Sequence, residues 1–173
     1  MKVRKIVTSG LLIAIGVLLP MIFHSINMGG PIFLPMHIPV LIAGMLLGPL
    51  YGSLVGLITP MLSSFFTGMP QAFPMLPIMA FELGTYGLTA GYLSKFFPKR
   101  VFLPLIAAMF DGRISAGLVV FVLSRFFEAN IKPLIFLQGA IITGLPGIMI
   151  QLIIIPPIVI ALRKNFRNLG QDL

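Results

Sequence analysis

The sequence contains no cysteine and no tryptophan, and only four acidic side chains among its 173 residues. Without cysteine there is no disulfide, no thiolate metal ligand and no thiol nucleophile. Without tryptophan there is no indole on which a ligand ring could stack. Charged residues of both signs make up 9%, against about 25% in a soluble domain, too few to cover a water-exposed globule. No G-x-x-x-x-G-K-[ST] loop occurs, so the chain cannot itself hydrolyse ATP, and H-E-x-x-H and nucleophile-elbow motifs are missing too. Asp111-Gly112-Arg113 matches membrane phosphotransferase motifs only superficially, because the further spaced aspartates of those enzymes are absent. An enzyme is not expected, and neither is a cofactor or a metal ion.

What is present is apolar chain: 58% hydrophobic residues and a mean hydropathy of +1.08. At about 20 residues per span, the length accommodates six helices and no separate soluble domain. Transmembrane β-strands alternate apolar and polar residues, whereas these runs are apolar all round. The expected fold is therefore an all-α integral membrane protein, a single domain over residues 1–173. Its six transmembrane helices are expected at about 6–23, 32–47, 50–66, 74–93, 101–126 and 134–162. Gly48-Pro49 separates the second from the third, and Pro60 lies inside the third. The basic start, Met1 to Lys5, resembles a signal peptide, but the run to Phe23 is long and no small-x-small cleavage site follows. It reads as a retained first helix.

The net charge of +8 does not indicate nucleic acid, because the basic residues sit at the ends of apolar runs. Lys2, Arg4, Lys5, Lys95, Lys99, Arg100, Arg163, Lys164 and Arg167, nine of the twelve, fall on one side of a six-span topology. Arg125 and Lys132 fall on the other, and Arg113 lies within a span. By the positive-inside rule both termini are expected in the cytoplasm. The outer loops, 24–31, 67–73 and 127–133, are then the longer, polar ones. Function concentrates on such loops, so a ligand is expected from outside.

Glu82, Asp111 and Arg113 lie deep within spans, where an unpaired charge is costly. Glu82 and Arg113 are expected to form an ion pair between the fourth and fifth helices, with Asp111 as a rival partner. Contact with substrate and a proton relay stay open as alternatives. Nearer the outer face are His24, Asn27, His37, Gln71, Arg125, Glu128, Asn130 and Gln138. The two histidines, without cysteine or an acidic cluster, make a poor zinc site. Thr143 and Gln151 are expected to bridge helices. Small residues four apart let helix backbones approach closely in lipid. Gly52/Gly56 and the series Gly84, Gly87, Gly91 are expected to pack internally, whereas Gly10/Ala14 can face inward or dock a partner.

Several stretches together resemble the S components of energy-coupling factor (ECF) transporters. They are Pro35-Met36-His37-Ile38-Pro39-Val40-Leu41-Ile42-Ala43-Gly44, followed by Gly48-Pro49, Gly52 and Gly56; Phe81-Glu82-Leu83-Gly84-Thr85-Tyr86-Gly87; Gly112-Arg113-Ile114; and Gly144-Leu145-Pro146-Gly147-Ile148 with Gln151-Leu152. One departure stands out: where the family usually has Ala-x-x-x-Ala on its first helix, this chain has Gly10 and Ala14. The resemblance implies a membrane-embedded binding subunit for a vitamin or vitamin precursor in a prokaryotic plasma membrane. It implies docking through Gly10 and Ala14 onto a transmembrane coupling subunit driven by two cytoplasmic ATPases. It also implies toppling in the bilayer, and a site toward the outer face between helices 4, 5 and 6 under loops 1 and 3. The branch it points to includes proteins assigned to pantothenate and to hydroxymethylpyrimidine or pyridoxine.

The polar inventory selects among these. Asn27, His37, Gln71, Tyr86, Arg113, Arg125, Asn130 and Gln138 are the candidate substrate residues, with Phe23, Phe33, Phe66 and Phe73 as further apolar walls. One cation with several amides suits pantothenate, which has one carboxylate, an amide and two hydroxyls. A phosphorylated ligand would need several fixed charges. A free-standing secondary transporter is the alternative, although it would usually show two repeats with broken helices, and no such repeat is visible.

Overall fold

A computed structural model describes residues 2–25, 30–127, 129 and 131–168. Among these residues every regular element is an α-helix. They are α1 (Lys2–Ser25), α2 (Gly30–Phe33), α3 (His37–Leu47), α4 (Pro49–Thr67), α5 (Met75–Phe96), α6 (Phe102–Phe126) and α7 (Pro133–Asn168). Four of them, α1, α4, α6 and α7, are long and apolar enough to cross a membrane. The apolar α3, with eleven residues, spans roughly 16 Å along its axis.

The continuous helix expected at 32–47 is instead two pieces. The break lies at Leu34, which adopts a left-handed conformation with φ of 49°, and at Pro35, which has no N–H to continue a helix. The Leu34 carbonyl then accepts a hydrogen bond from the His37 amide at 3.1 Å and starts α3. Gly48, at φ of 97°, ends α3, and Pro49 opens α4, where its missing N–H costs nothing.

Helix α5 is the central one, packed most extensively on α4, α6 and α3. Ten of its residues are buried, among them Glu82, Gly84, Tyr86, Gly87, Gly91 and Ser94. The most extensively packed helix thus carries two of the buried polar side chains, Glu82 and Ser94. Its glycines make the packing possible. A Cβ on Gly52 would lie 2.5 Å from both the Gly44 α-carbon and the Gly87 carbonyl oxygen. One on Gly91 would lie 2.5 Å from the Pro49 nitrogen. Helices α3, α4 and α5 therefore meet backbone to backbone, as small residues permit.

The main apolar core includes Leu41, Val55, Leu83, Leu105, Ile155 and Val159. A second cluster, Ile78, Ala116, Val120 and Leu123, closes the start of α5 against the far half of α6. Outside these clusters, many large apolar side chains face outward, for example Phe65, Phe66, Phe110, Phe126 and Ile142. In water such a surface would drive association, and in lipid it is matched to its solvent. Helix α1 is the least buried of the four long apolar helices.

One end of the molecule gathers the basic residues. Lys5 and Lys95 line a shared cavity there. The Arg163 guanidinium donates to the carbonyls of Pro98 and, at 3.3 Å, Met45. The end of α7 is thereby tied to the α5–α6 turn and to the end of α3.

Candidate functional site

A layer of polar side chains drawn from four helices borders the main apolar core, of which the Tyr86 ring is a member. His37 comes from α3, Glu82 and Tyr86 from α5, Arg113 from α6 and Gln151 from α7. His37, Glu82, Tyr86 and Arg113 lie ten to fourteen residues from the helix terminus at the basic end. At 1.5 Å per residue they sit roughly 15–21 Å from that end, at the middle of a hydrocarbon core about 30 Å thick or beyond it.

Arg113 Nη1 donates to Glu82 Oε1 at 2.6 Å, a charge-assisted bond between two side chains that are 12% and 5% exposed. His37 Nε2 stands 3.6 Å from the same carboxylate oxygen, too long for a hydrogen bond. The Tyr86 ring meets the His37 ring edge-on at 4.9 Å, a favoured aromatic geometry. Gly112 makes room for it: the Tyr86 ring fills the space that a side chain at Gly112 would need. On the α7 side, Gln151 Nε2 donates to the Leu34 carbonyl at 3.4 Å. Gly144 faces Arg113, such that a Cβ there would lie 3.2 Å from Arg113 Nη2.

Hydrogen-bonding capacity remains unmet. Arg113 Nε and Nη2, both nitrogens of His37 and Gln151 Oε1 are buried without a partner. Buried polar groups are normally satisfied, so the layer presents a ready set of donors and an acceptor. Nε and Nη2 form the side-on edge of the guanidinium, the fork that matches a carboxylate or a planar amide. Nη1, at the opposite corner, is committed to Glu82.

The expected Glu82–Arg113 pair is present. Asp111 is not Arg113's partner. It is exposed and accepts a short hydrogen bond from Thr89 Oγ1. Among the candidate substrate residues, His37, Tyr86 and Arg113 come together. Gln71, Arg125 and Gln138 are exposed. Arg125 is twelve residues beyond Arg113 on α6, roughly 18 Å along the axis, so the two cations cannot share one small ligand group. Asn27 and Asn130 lie outside the described residues. Gln151 belongs to the layer through its bond to Leu34, and its place there needed the break at Leu34, which no sequence signal located. Among the described residues no three His, Asp or Glu side chains converge as a metal site would require. Gly10 and Ala14 face outward on α1, and nothing lies within 4 Å of where a Gly10 Cβ would stand.

Neither the curated proteins nor the solved structures hold a match to this sequence. The family described as "ECF transporter, substrate-specific component" matches residues 4–159, a stretch that takes in the whole polar layer and most of every long helix. The chain belongs to that family, whose members are membrane-embedded, substrate-binding subunits of transporters rather than enzymes.

Proposed function

We propose that this chain is the substrate-binding subunit of a vitamin importer, and that its ligand is pantothenate. The protein is a single six-span domain in a prokaryotic plasma membrane with both termini in the cytoplasm. It works with a transmembrane coupling subunit and two ATPases, docking through Gly10 and Ala14.

The observation that carries the ligand is the Arg113 fork. Its Nε and Nη2 are buried and unpartnered, while Nη1 is held by Glu82 at 2.6 Å. The pantothenate carboxylate takes the fork. The amide and hydroxyls are left for His37 and for the acceptor Oε1 of Gln151, with Tyr86 as the apolar wall. The basic end, roughly 15–21 Å away, agrees with a site loaded from the opposite, outer side.

A second reading rests on the same pair. Glu82 cancels the charge of Arg113, and a neutral pyrimidine or pyridine, hydroxymethylpyrimidine or pyridoxine, meets a neutral pocket without a charge penalty. Titration calorimetry against all three compounds separates them. The expected result is tight binding of pantothenate that falls at least a hundredfold in Arg113→Gln and hardly changes in Arg125→Gln. Binding of a ring compound with no heat from pantothenate would reverse the choice.

A further inference from the structure

At the basic end, the start of α1, the α3–α4 turn and the last turn of α5 surround a cavity of about 200 Å³. Lys5, Gly48, Ser94 and Lys95 are among its lining residues. Ser94 is 7% exposed, and its hydroxyl has no hydrogen-bond partner. The Lys5 ammonium lies 5.6 Å from the centre of the Tyr51 ring, a cation–π contact that keeps it beside this turn. The Lys95 stem runs past Gly48, where a Cβ would stand 3.6 Å from its Cε. Two backbone carbonyls of the lining already accept a hydrogen bond. The Gly44 carbonyl accepts from the Gly48 amide, and the Met45 carbonyl accepts from Arg163. Among the described residues the acidic side chains are Glu82 and Asp111, both well inside their helices.

Two cations and an unmet buried hydroxyl thus line a cavity that receives no anion from the described residues. We propose that this cavity binds a phosphate group, that of an anionic phospholipid headgroup, with Lys5 and Lys95 as counter-charges and Ser94 Oγ–H as donor. The lipid source is argued from position. The lining residues lie at or near helix ends, and Val3, Leu50 and Phe96, each within two residues of a lining residue, are exposed apolar side chains for acyl chains to meet. Polybasic surfaces at the cytoplasmic leaflet attract anionic lipid with a roughly fivefold gain per lysine.

Native mass spectrometry of the purified full chain, released from mixed detergent–lipid micelles, tests the site. The probes are phosphatidylglycerol, phosphatidylcholine, glycerol phosphate and inorganic phosphate. The expected result is one retained phosphatidylglycerol, preferred over phosphatidylcholine by roughly thirtyfold. Lys5→Gln and Lys95→Gln should each lower that preference roughly fivefold. Ser94→Ala should lower it further, while Lys164→Gln leaves it unchanged. Glycerol phosphate or inorganic phosphate displacing the lipid at equal concentration would assign the cavity to a soluble phosphate and overturn the lipid source. Equal retention of both lipids, or a preference indifferent to Lys5→Gln and Lys95→Gln, would overturn the site. Substrate titration of the same variants should be unchanged, because none of these residues belongs to the polar layer, and this also verifies that they fold.

Discussion

The ring of Tyr86 stands where a side chain at Gly112 would have to go, and Gly112 is the residue before Arg113. One glycine therefore seats the aromatic ring that meets His37 edge-on at 4.9 Å, next to the cation that holds Glu82. Substitution at Gly112 reaches the polar layer without touching any of its polar atoms. Gly112→Ala should force the Tyr86 ring aside, at the cost of about 1–3 kcal/mol typical of overpacking, and should weaken substrate binding at least tenfold. Calorimetry and the melting temperature in detergent measure the two effects. Unchanged binding in a folded Gly112→Ala protein would mean that Tyr86 is not part of the site.

Glu82 and Arg113 should behave as a unit. Removing one partner of a buried pair leaves the other charge uncompensated, a loss of about 3–5 kcal/mol. Glu82→Gln and Arg113→Gln should each lower the melting temperature, and the double variant should recover part of the loss. The parallel cycle on Asp111 and Arg113 should be additive, since Asp111 is hydrogen-bonded to Thr89 instead. Coupling between Asp111 and Arg113 would contradict the observed pairing.

Much of this architecture was legible because lipid writes strong signals. Gly48-Pro49 and Thr67-Gly68 bound the expected segment 50–66, and the basic turn Lys95 to Arg100 precedes 101–126, so the two can be set beside α4 at Pro49–Thr67 and α6 at Phe102–Phe126. A charge within a span needs a partner, which made Glu82 and Arg113 readable as a pair. What could not be read was facing. In these helices the outward side is as apolar as the inward side, so periodicity does not tell which residues point to the core. Gln71, Arg125 and Gln138 were candidates by chemistry and are exposed. Gln151, expected as a bridge, links α7 to the α2–α3 break through the Leu34 carbonyl, and its place in the polar layer is what could not be read. The turn at Leu34 depends on a left-handed non-glycine residue, a conformation that composition does not announce.

The close packing of α3, α4 and α5 should tolerate no added methyl group. The carbonyl of Gly52 lies against the Gly87 α-carbon, and that neighbour is backbone, which cannot rotate away. Gly87→Ala is expected to lower the melting temperature strongly. Gly68→Ala, where nothing stands within 4 Å, should cost only the strain of a left-handed residue at φ of 71°, about 1–2 kcal/mol. A Gly87→Ala protein as stable as the parent would refute the backbone-to-backbone contact.

Helix α1 offers the sharpest separation of binding from coupling, because its small residues face two ways. Gly16 is buried, and a Cβ there would meet the Thr59 side chain at 2.6 Å and Pro39 at 3.3 Å, so it packs inward. Gly10 and Ala14 point outward with open space beyond Gly10. In lipid, the advantage of such a small pair is that another helix backbone can come close. Gly10→Leu and Ala14→Leu should therefore leave substrate affinity and melting temperature of the isolated protein near those of the parent. Uptake in cells that express the whole transporter should be lost. Gly16→Leu, by contrast, should destabilise the isolated protein and lower binding with it. Loss of binding in Gly10→Leu equal to its loss of uptake would mean that this face packs within the chain and does not dock the coupling subunit.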